Sequence, residues 1–558
     1  MDIQRILLIA AIAALSFMLV VEWASFRQQE PASVVESQQT FEQSPTQIPG
    51  TNSSASMEDI PEVAGDTEEP ELQAGHDSSS INVSTDVLNL SIDLSGGDVV
   101  YAALPKHYAK IDTPNQPFVL LEQNRQREYI AQSGLIGKNG TDTRDGRPLF
   151  VTEQENYSLA KGQDKLTVTL AYGYSRDITI KKHYHFTRGS YVVELDYEIE
   201  NRSAEPWQGV LFTQLKRDSS EDPSTQNNGM MGMQPFLGVA YRTTEERFEK
   251  LPFDDMREKP LKLEMQGGWV AMIQHYFLSA WIPPADQQNY FSTSVTRSGD
   301  NIARYTSAPQ IVEPNTSGHL KAQLYVGPKD QYALEKISEG LELSVDYGWL
   351  WWIAQPLFWV LTQIYKLLGN WGLAIIGVTL AVKILFFQLN ATAFRSMANM
   401  RRVQPKLLEI RERHADDRQK QSQAMMELYK KEKINPLGGC LPILVQMPVF
   451  IALYWVLMES VELRHAPFFG WINDLSAMDP YFILPIIMGA SMFVQQKLNP
   501  PPPDPMQAKV MQWLPVIFTF FFLFFPAGLV LYWVVNNLLS IAQQYIITRN
   551  IEKGQAKA

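Results

Sequence analysis

The last third of the chain carries four apolar runs with almost no charge: Trp371 to Leu389, Leu441 to Leu457, Tyr481 to Val494, and Val510 to Ile547. An apolar helix of about 20 residues covers the roughly 30 Å hydrocarbon layer of a bilayer, and only helices or closed barrels satisfy their backbone groups there. These runs therefore confine this part of the chain to a helical membrane bundle. The fourth run is too long for one crossing and is interrupted by Pro526-Ala-Gly528, a turn signal, so it divides into two helices. One more run, Ile6 to Val21, comes after Arg5 and ends at Glu22 and Trp23. It has no clear small-x-small cleavage site, and Trp23 suits the interface. Residues 1–26 thus read as a retained signal-anchor rather than a cleaved signal peptide, and either reading exports the segment downstream of it. The expectation is six spans.

Whole-chain averages conceal this. The 558 residues are 45% hydrophobic with net charge −12, and the mean hydropathy of −0.16 is that of a soluble protein. The two parts differ, however. Residues 1–345 hold 47 acids against 29 bases, whereas 346–558 hold 13 against 19. The single cysteine, Cys440, excludes an intramolecular disulfide. The acidic excess argues against nucleic acid as a ligand, because a phosphate backbone demands clustered Lys and Arg.

Residues 27–80 are rich in Glu, Ser, Pro and Gln, with Arg27 the only base, a composition that predicts a disordered acidic linker. From 81 to 341 the pattern alternates, as in Lys165-Leu-Thr-Val-Thr-Leu-Ala-Tyr and Ser190-Tyr-Val-Val-Glu-Leu-Asp-Tyr-Glu-Ile, with Gly, Asn, Asp and Pro between stretches. Period-two alternation predicts a large all-β sandwich. Residues 342–366, with Trp349, Trp351, Trp352 and Trp359, predict an amphipathic helix lying at the interface. A five-helix core over 367–548 and a short tail, 549–558, complete the plan.

Orientation comes from the loops. The segment Asn390 to Gly439 holds 11 Lys or Arg, and Val461 to Asp479 only Arg464. The positive-inside rule makes the first cytoplasmic and the second external, which puts residues 27–341 outside and both termini inside. The basic segment 391–434 is rich in helix formers and predicts a charged helical hairpin.

Lys383 is the one charge within the body of the C-terminal spans. A lysine at the centre of a membrane helix costs about 2.5–3.5 kcal/mol, which makes it a candidate functional group; snorkelling to the nearby interface is the competing account. Polar neighbours bear on the choice. Thr379, Lys383 and Asn390 share a face of the second span; Gln446, Phe450 and Tyr454 align on the third; Ser491 and Gln495 on the fourth; Tyr532, Asn536, Ser540 and Gln543 on the sixth. A single stripe would be interhelical glue. Four at one depth, with a cation, point to a wet recess open to the cytoplasm. Such a recess shortens the apolar path for a polar or acidic protein segment. No HExxH, Walker loop, placeable Ser-His pair or mid-membrane carboxylate is present, which weakens protease, ATPase and proton-coupled transporter readings and implies no cofactor or metal. Two classes remain: a device that moves polar tails of other proteins into the membrane, and a polytopic transporter or channel with an accessory β domain.

Asn435-Pro-Leu-Gly-Gly-Cys-Leu-Pro442, Gln446-Met-Pro-Val-Phe450, Asp479-Pro-Tyr-Phe-Ile-Leu-Pro485 and Phe525-Pro-Ala-Gly-Leu-Val-Leu-Tyr-Trp533 closely resemble the YidC/Oxa/Alb insertase family, in its Gram-negative form. The resemblance covers about residues 345–550. It implies a non-enzymatic insertase and chaperone of the bacterial inner membrane, acting alone or with the Sec translocon. It also implies a periplasmic β-supersandwich similar to sugar-mutarotase domains. The implied partners are nascent inner-membrane proteins, membrane lipids, and the ribosome or signal-recognition receptor. It places a substrate groove at Lys383, Thr379, Phe450 and Tyr532, within the polar set that also holds Asn390, Gln446, Ser491, Gln495, Asn536 and Ser540. The groove cation is most familiar as Arg, and Lys383 keeps the charge without the guanidinium fork. Trp533 stands where a second Tyr is common. The tail after Ile547 is short, so the basic hairpin is the better candidate for contacting the ribosome or receptor.

Overall fold

The computed structural model describes residues 80–143, 146–225, 235–414, 417–432, 441–499 and 505–555. The expected signal-anchor, nearly all of the acidic linker and the Asn435-to-Cys440 part of the first motif lie outside them. The described residues form two units: a β unit, up to Asp346 and including Met458–Ala466, and a helical unit, Tyr347–Leu457 and from Pro467 onward.

The β unit is built from an 11-stranded and an 8-stranded sheet, nearly all antiparallel. In the smaller sheet, strand Ile178–Thr187 pairs with Lys165–Gly173 on one side and Val192–Asn201 on the other, and Val192–Asn201 pairs with Thr316–Pro328. Their alternation does what period two demands. Ile180, Tyr184 and Phe186 point inward beside Val168, Leu170, Leu195, Tyr197 and Ile199, all buried in one core, while Lys181, His183 and His185 face outward. In the larger sheet the central strand Trp207–Arg217 is flanked by Glu128–Ile136 and Asn301–Ser307.

Two buried cations inside the sandwich are paired with oxygen, as burial of a charge requires. Lys182 is fully buried and donates to the carbonyls of Gly96 at 2.9 Å and Gly97 at 2.8 Å. Arg147 lies between Asp98 and Asp142, 2.7 Å from the latter.

Nine residues from the helical stretch of the sequence pack with this unit. His275 Nε2 lies 2.9 Å from the Met458 carbonyl. Lys329 Nζ is 2.9 Å from Glu459 Oε2, their side chains 3% and 6% exposed. Val461 joins the sandwich core.

The helical unit contains α2 (Trp351–Leu368), α3 (Trp371–Leu385), α4 (Phe387–Arg413), α5 (Arg418–Lys431), α6 (Leu441–Glu459), α7 (Ile483–Leu498), α8 (Pro505–Phe522) and α9 (Ala527–Gln555); the short α1 (Gln331–Ile337) belongs to the β unit. Gly369 ends α2 at φ +65°, a conformation that favours glycine, and the Asn370 side chain caps α3 by accepting from the Leu373 amide at 3.0 Å. Before α7 the Asp479 carboxylate accepts from the amides of Tyr481 at 3.0 Å and Leu484 at 2.7 Å and from Trp471 Nε1 at 3.0 Å. The Pro526 break separates α8 from α9, and the first amides of α9 are satisfied by carbonyls of Ala477 at 2.7 Å and Leu475 at 2.9 Å. Helices α4 and α5 form the charged hairpin, closed by Val403 and Leu407 against Met425, Leu428 and Tyr429, with Glu432 paired to Arg402 and Lys406.

A straight second span over Trp371 to Leu389 does not form. The chain bends by 68° at Phe386, between α3 and α4. Hydropathy does not register the bend because Ile384-Leu-Phe-Phe387 is apolar throughout, and hydrogen bonding continues across it: the Phe386 amide bonds Val382 O at 3.1 Å, and the Asn390 amide bonds Phe386 O at 3.0 Å. Among the described residues no single helix is both long and apolar enough to cross a bilayer. The bent pair passes that test, and shorter apolar helices run Val445–Glu459, Ile483–Leu498 and Ala508–Phe522.

Candidate functional site

Lys383 sits in the last turn of α3, 8% exposed, just before the bend. Its Nζ donates to Ser540 Oγ on α9 at 2.7 Å and to Gln446 Oε1 on α6 at 3.5 Å. Ser540 donates in turn to the Asn536 carbonyl one turn earlier, at 2.8 Å. Gln446 Nε2 donates to Tyr532 OH at 3.3 Å and to Asn536 Oδ1. Both donors of that amide face acceptors, so its oxygen is held toward Lys383. Tyr532, Asn536 and Ser540 come together because four-residue spacing puts them on one face of α9. Lys383 has no carboxylate partner among the described residues; the protein groups that meet its charge there are a hydroxyl and an amide oxygen.

A small recess opens at this point, lined by Val382, Lys383, Phe386, Asn390, Val445 and Gln446. Lys383 gives it a positive charge, Asn390 and Gln446 add amide groups, and Val382, Phe386 and Val445 supply the apolar part. Asn390, buried on α4 just past the bend, belongs to the same lining.

Other expected groove residues do other things. Thr379 is fully buried and donates to the Ile375 carbonyl of its own helix at 2.7 Å, outside the Lys383 network. Ser491 accepts from Asn537 Nδ2 at 2.9 Å and donates to Met488 O at 2.6 Å, joining α7 to α9. Gln495 is half-buried on α7. Gln543 reaches the Phe387 carbonyl at 3.3 Å. Phe450 packs edge-on to Trp533, ring centres 4.6 Å apart, and lies 6.2 Å from both Tyr532 and Phe522. Among the described residues, the buried Trp533 indole N–H meets no acceptor.

Sequence reasoning passed over Asn537 and Gln544. The doublet Asn536-Asn537 was the available signal. Consecutive helix positions are about 100° apart, so two adjacent amides in an apolar helix serve two neighbours: Asn536 faces α6, and Asn537 faces α7. Gln544, two turns on from Asn537, reaches Leu498 O at 3.2 Å and Asn499 Oδ1 at 2.9 Å.

Residues 80–360 match the YidC periplasmic domain family, and 363–554 match the 60Kd inner membrane protein family. The chain is 52% identical to a protein of Cellvibrio japonicus named membrane protein insertase YidC, over the full length of both. It is 52% identical to one of the same name from Azotobacter vinelandii, over 99% of each chain. A crystal structure described as active YidC insertase with its first transmembrane domain resolved is similar over 84% of this chain and 92% of that one, with 18% identity and a TM-score of 0.37.

Proposed function

This chain belongs to the YidC family of membrane protein insertases, and from that premise we propose that it works through the polar recess around Lys383. It is an insertase of the bacterial inner membrane with a periplasmic β domain and a helical membrane region. Insertion moves a chain between phases and makes no covalent bond, so binding and electrostatics carry the mechanism.

The observation that carries the proposal is a buried ammonium held, among the described residues, by Ser540 and Gln446, at a recess also lined by Val382, Phe386, Asn390 and Val445. A hydrophilic tail entering from the cytoplasm exchanges some of its water for the amides and hydroxyls of α6 and α9. A carboxylate on that tail is drawn to Lys383, where screening by water is weak. The apolar part of the substrate meets Phe450, Tyr532 and Trp533 and partitions into lipid. The remaining path for the tail is shorter than the full hydrocarbon thickness, so hydrophobic partitioning of the substrate drives transfer without a nucleotide.

The same reading includes six spans with both termini cytoplasmic, the α4–α5 hairpin as the contact for a ribosome or signal-recognition receptor, chaperone action on inserted helices, and cooperation with the Sec translocon. It rests on the charge asymmetry of the loops and on family membership.

The test is reconstitution. Purified protein in liposomes is expected to insert a small single-span protein with an acidic exported tail, scored by protease protection. Insertion no greater than into empty liposomes overturns the proposal.

A further inference from the structure

Tyr108 and Ile111 stand 41% and 38% exposed at the start of the loop between strands Asp98–Tyr108 and Pro117–Gln123. Single exposed apolar side chains are ordinary on a soluble surface, and their exposure alone means nothing. Their attachment is what distinguishes them. The Ala109 carbonyl, between the two, accepts a hydrogen bond from Arg464 Nη2 at 3.1 Å. The same guanidinium lies 5.4 Å from the ring centres of Phe118 and Phe277. The loop is compact, with Ala109 N bonded to Gln116 O at 2.9 Å and Thr113 N to Lys110 O at 3.1 Å.

Arg464 lies five positions after Glu459, the last residue of the apolar helix α6, and a 3-10 turn at Val461–Leu463 shortens that path. Fully extended, five residues reach at most about 18 Å. The headgroup zone occupies roughly 5–7 Å on each side of the hydrocarbon. Any bilayer that α6 crosses therefore has its periplasmic surface within a short reach of Tyr108 and Ile111. The loop also offers exposed Lys110 beside a single acid, Asp112. Tyrosine, an aliphatic side chain and lysine together suit the boundary between phosphate and acyl chain.

We propose that this loop, through Tyr108, Ile111 and Lys110, rests in the headgroup layer of the periplasmic leaflet and seats the β domain on phospholipid. The inference goes beyond the insertase mechanism, and it depends on the reading that α6 and α7 cross the membrane.

An internal control exists at the far end of the sandwich. Phe277 and His275 lie in one turn region, and the His275 amide bonds Asp222, five residues beyond the Arg217 end of strand Trp207–Arg217. Ile311, 60% exposed, pairs with Gln208 at the opposite end of that strand, about 30 Å away at 3.3 Å per residue.

The experiment uses the full-length protein with Cys440→Ser and one new cysteine at a time: Ile111→Cys, Ile311→Cys or Ile486→Cys, the last on an exposed face of α7. Each carries an environment-sensitive fluorophore in vesicles of phosphatidylethanolamine and phosphatidylglycerol. Labels at 111 and 486 are expected to be quenched by nitroxide-bearing lipid and shielded from aqueous iodide, and the label at 311 the reverse. A 111 label that behaves like 311, while 486 is quenched by lipid, overturns the lipid contact. A 486 label open to iodide overturns the spanning reading beneath it. Lys110→Glu is expected to reduce lipid quenching at 111; unchanged quenching removes the lysine from the contact.

Discussion

The ammonium of Lys383 lies 2.7 Å from the hydroxyl of Ser540, across 157 positions of sequence, and the hydroxyl in turn bonds the Asn536 carbonyl. Ser540 is thus fixed as an acceptor for the lysine, and the charge on α3 is tied to α9 without being neutralised.

That arrangement predicts how charge at this position governs insertion. A unit charge 4 Å from a carboxylate is worth about 4 kcal/mol at an effective dielectric of 20. Lys383→Glu is therefore expected to lower insertion of acidic-tailed substrates by about tenfold or more, while Lys383→Arg retains it. Protease protection in proteoliposomes measures both. Equal activity in the two variants would return Lys383 to a snorkelling role.

Gln446 supplies an independent handle on the same charge. Its oxygen faces Lys383, so Gln446→Glu places a carboxylate there with almost no change of shape. The resulting internal ion pair is expected to abolish the preference for acidic over neutral tails, although the carboxylate also loses the two hydrogen bonds that the amide donates to Tyr532 and Asn536. The ratio of insertion for matched acidic and neutral substrates reads this out.

The buried Lys329–Glu459 pair predicts a stability effect in the β unit. Removing one partner strands the other charge, which typically costs about 3–5 kcal/mol, whereas removing both is far milder. Lys329→Met should lower the urea midpoint of the β unit strongly, and Lys329→Met with Glu459→Leu should recover most of the loss. Equal losses in the single and double variants would mean that the pair is not coupled.

Two histidines set a pH dependence for the same unit. Burial, reinforced by Arg464, His465 and Lys106, pushes His107 down from 6.5 to about 4. Burial and the nearby Lys329 push His275 down to about 3. The unfolded chain therefore takes up protons first as pH falls, and stability present above pH 6.5 erodes between 6.5 and about 4 for His107, continuing to about 3 for His275. Burial raises Glu462 of the same unit to about 7, which acts in the opposite sense over this range, so the readout is a difference: denaturant unfolding at pH 7 and about 4.5 should show His107→Gln gaining stability relative to the unaltered protein as pH falls.

Helix packing in the membrane region depends on Gly489. A Cβ there would collide with the Thr519 hydroxyl of α8, so α7 and α8 approach only because that position is glycine. Gly489→Val is expected to cost about 1–3 kcal/mol as an overpacking change, seen as a lower melting temperature in detergent.

Much of this protein is legible in one dimension. Apolar runs and a change of charge sign separate a membrane bundle from an exported β domain, because solvent imposes composition locally. Period-two alternation marks strands such as Lys165–Gly173, because one face of each is buried. Four-residue spacing gathers Tyr532, Asn536 and Ser540 on one side of α9. Lys383 draws notice by being charged where charge is expensive.

Contacts between elements are decided elsewhere. Nothing in the sequence says that the hydroxyl nearest Lys383 belongs to Ser540, that Thr379 turns to its own helix, or that Asn537 serves α7 while Asn536 serves α6. The bend at Phe386 and the capture of Met458–Ala466 by the β unit are equally silent. Composition and periodicity report the phase in which each residue lies. Which residues meet depends on helix rotation, crossing and closure over more than a hundred positions, and those are settled by packing and by the cost of leaving buried polar groups unpaired.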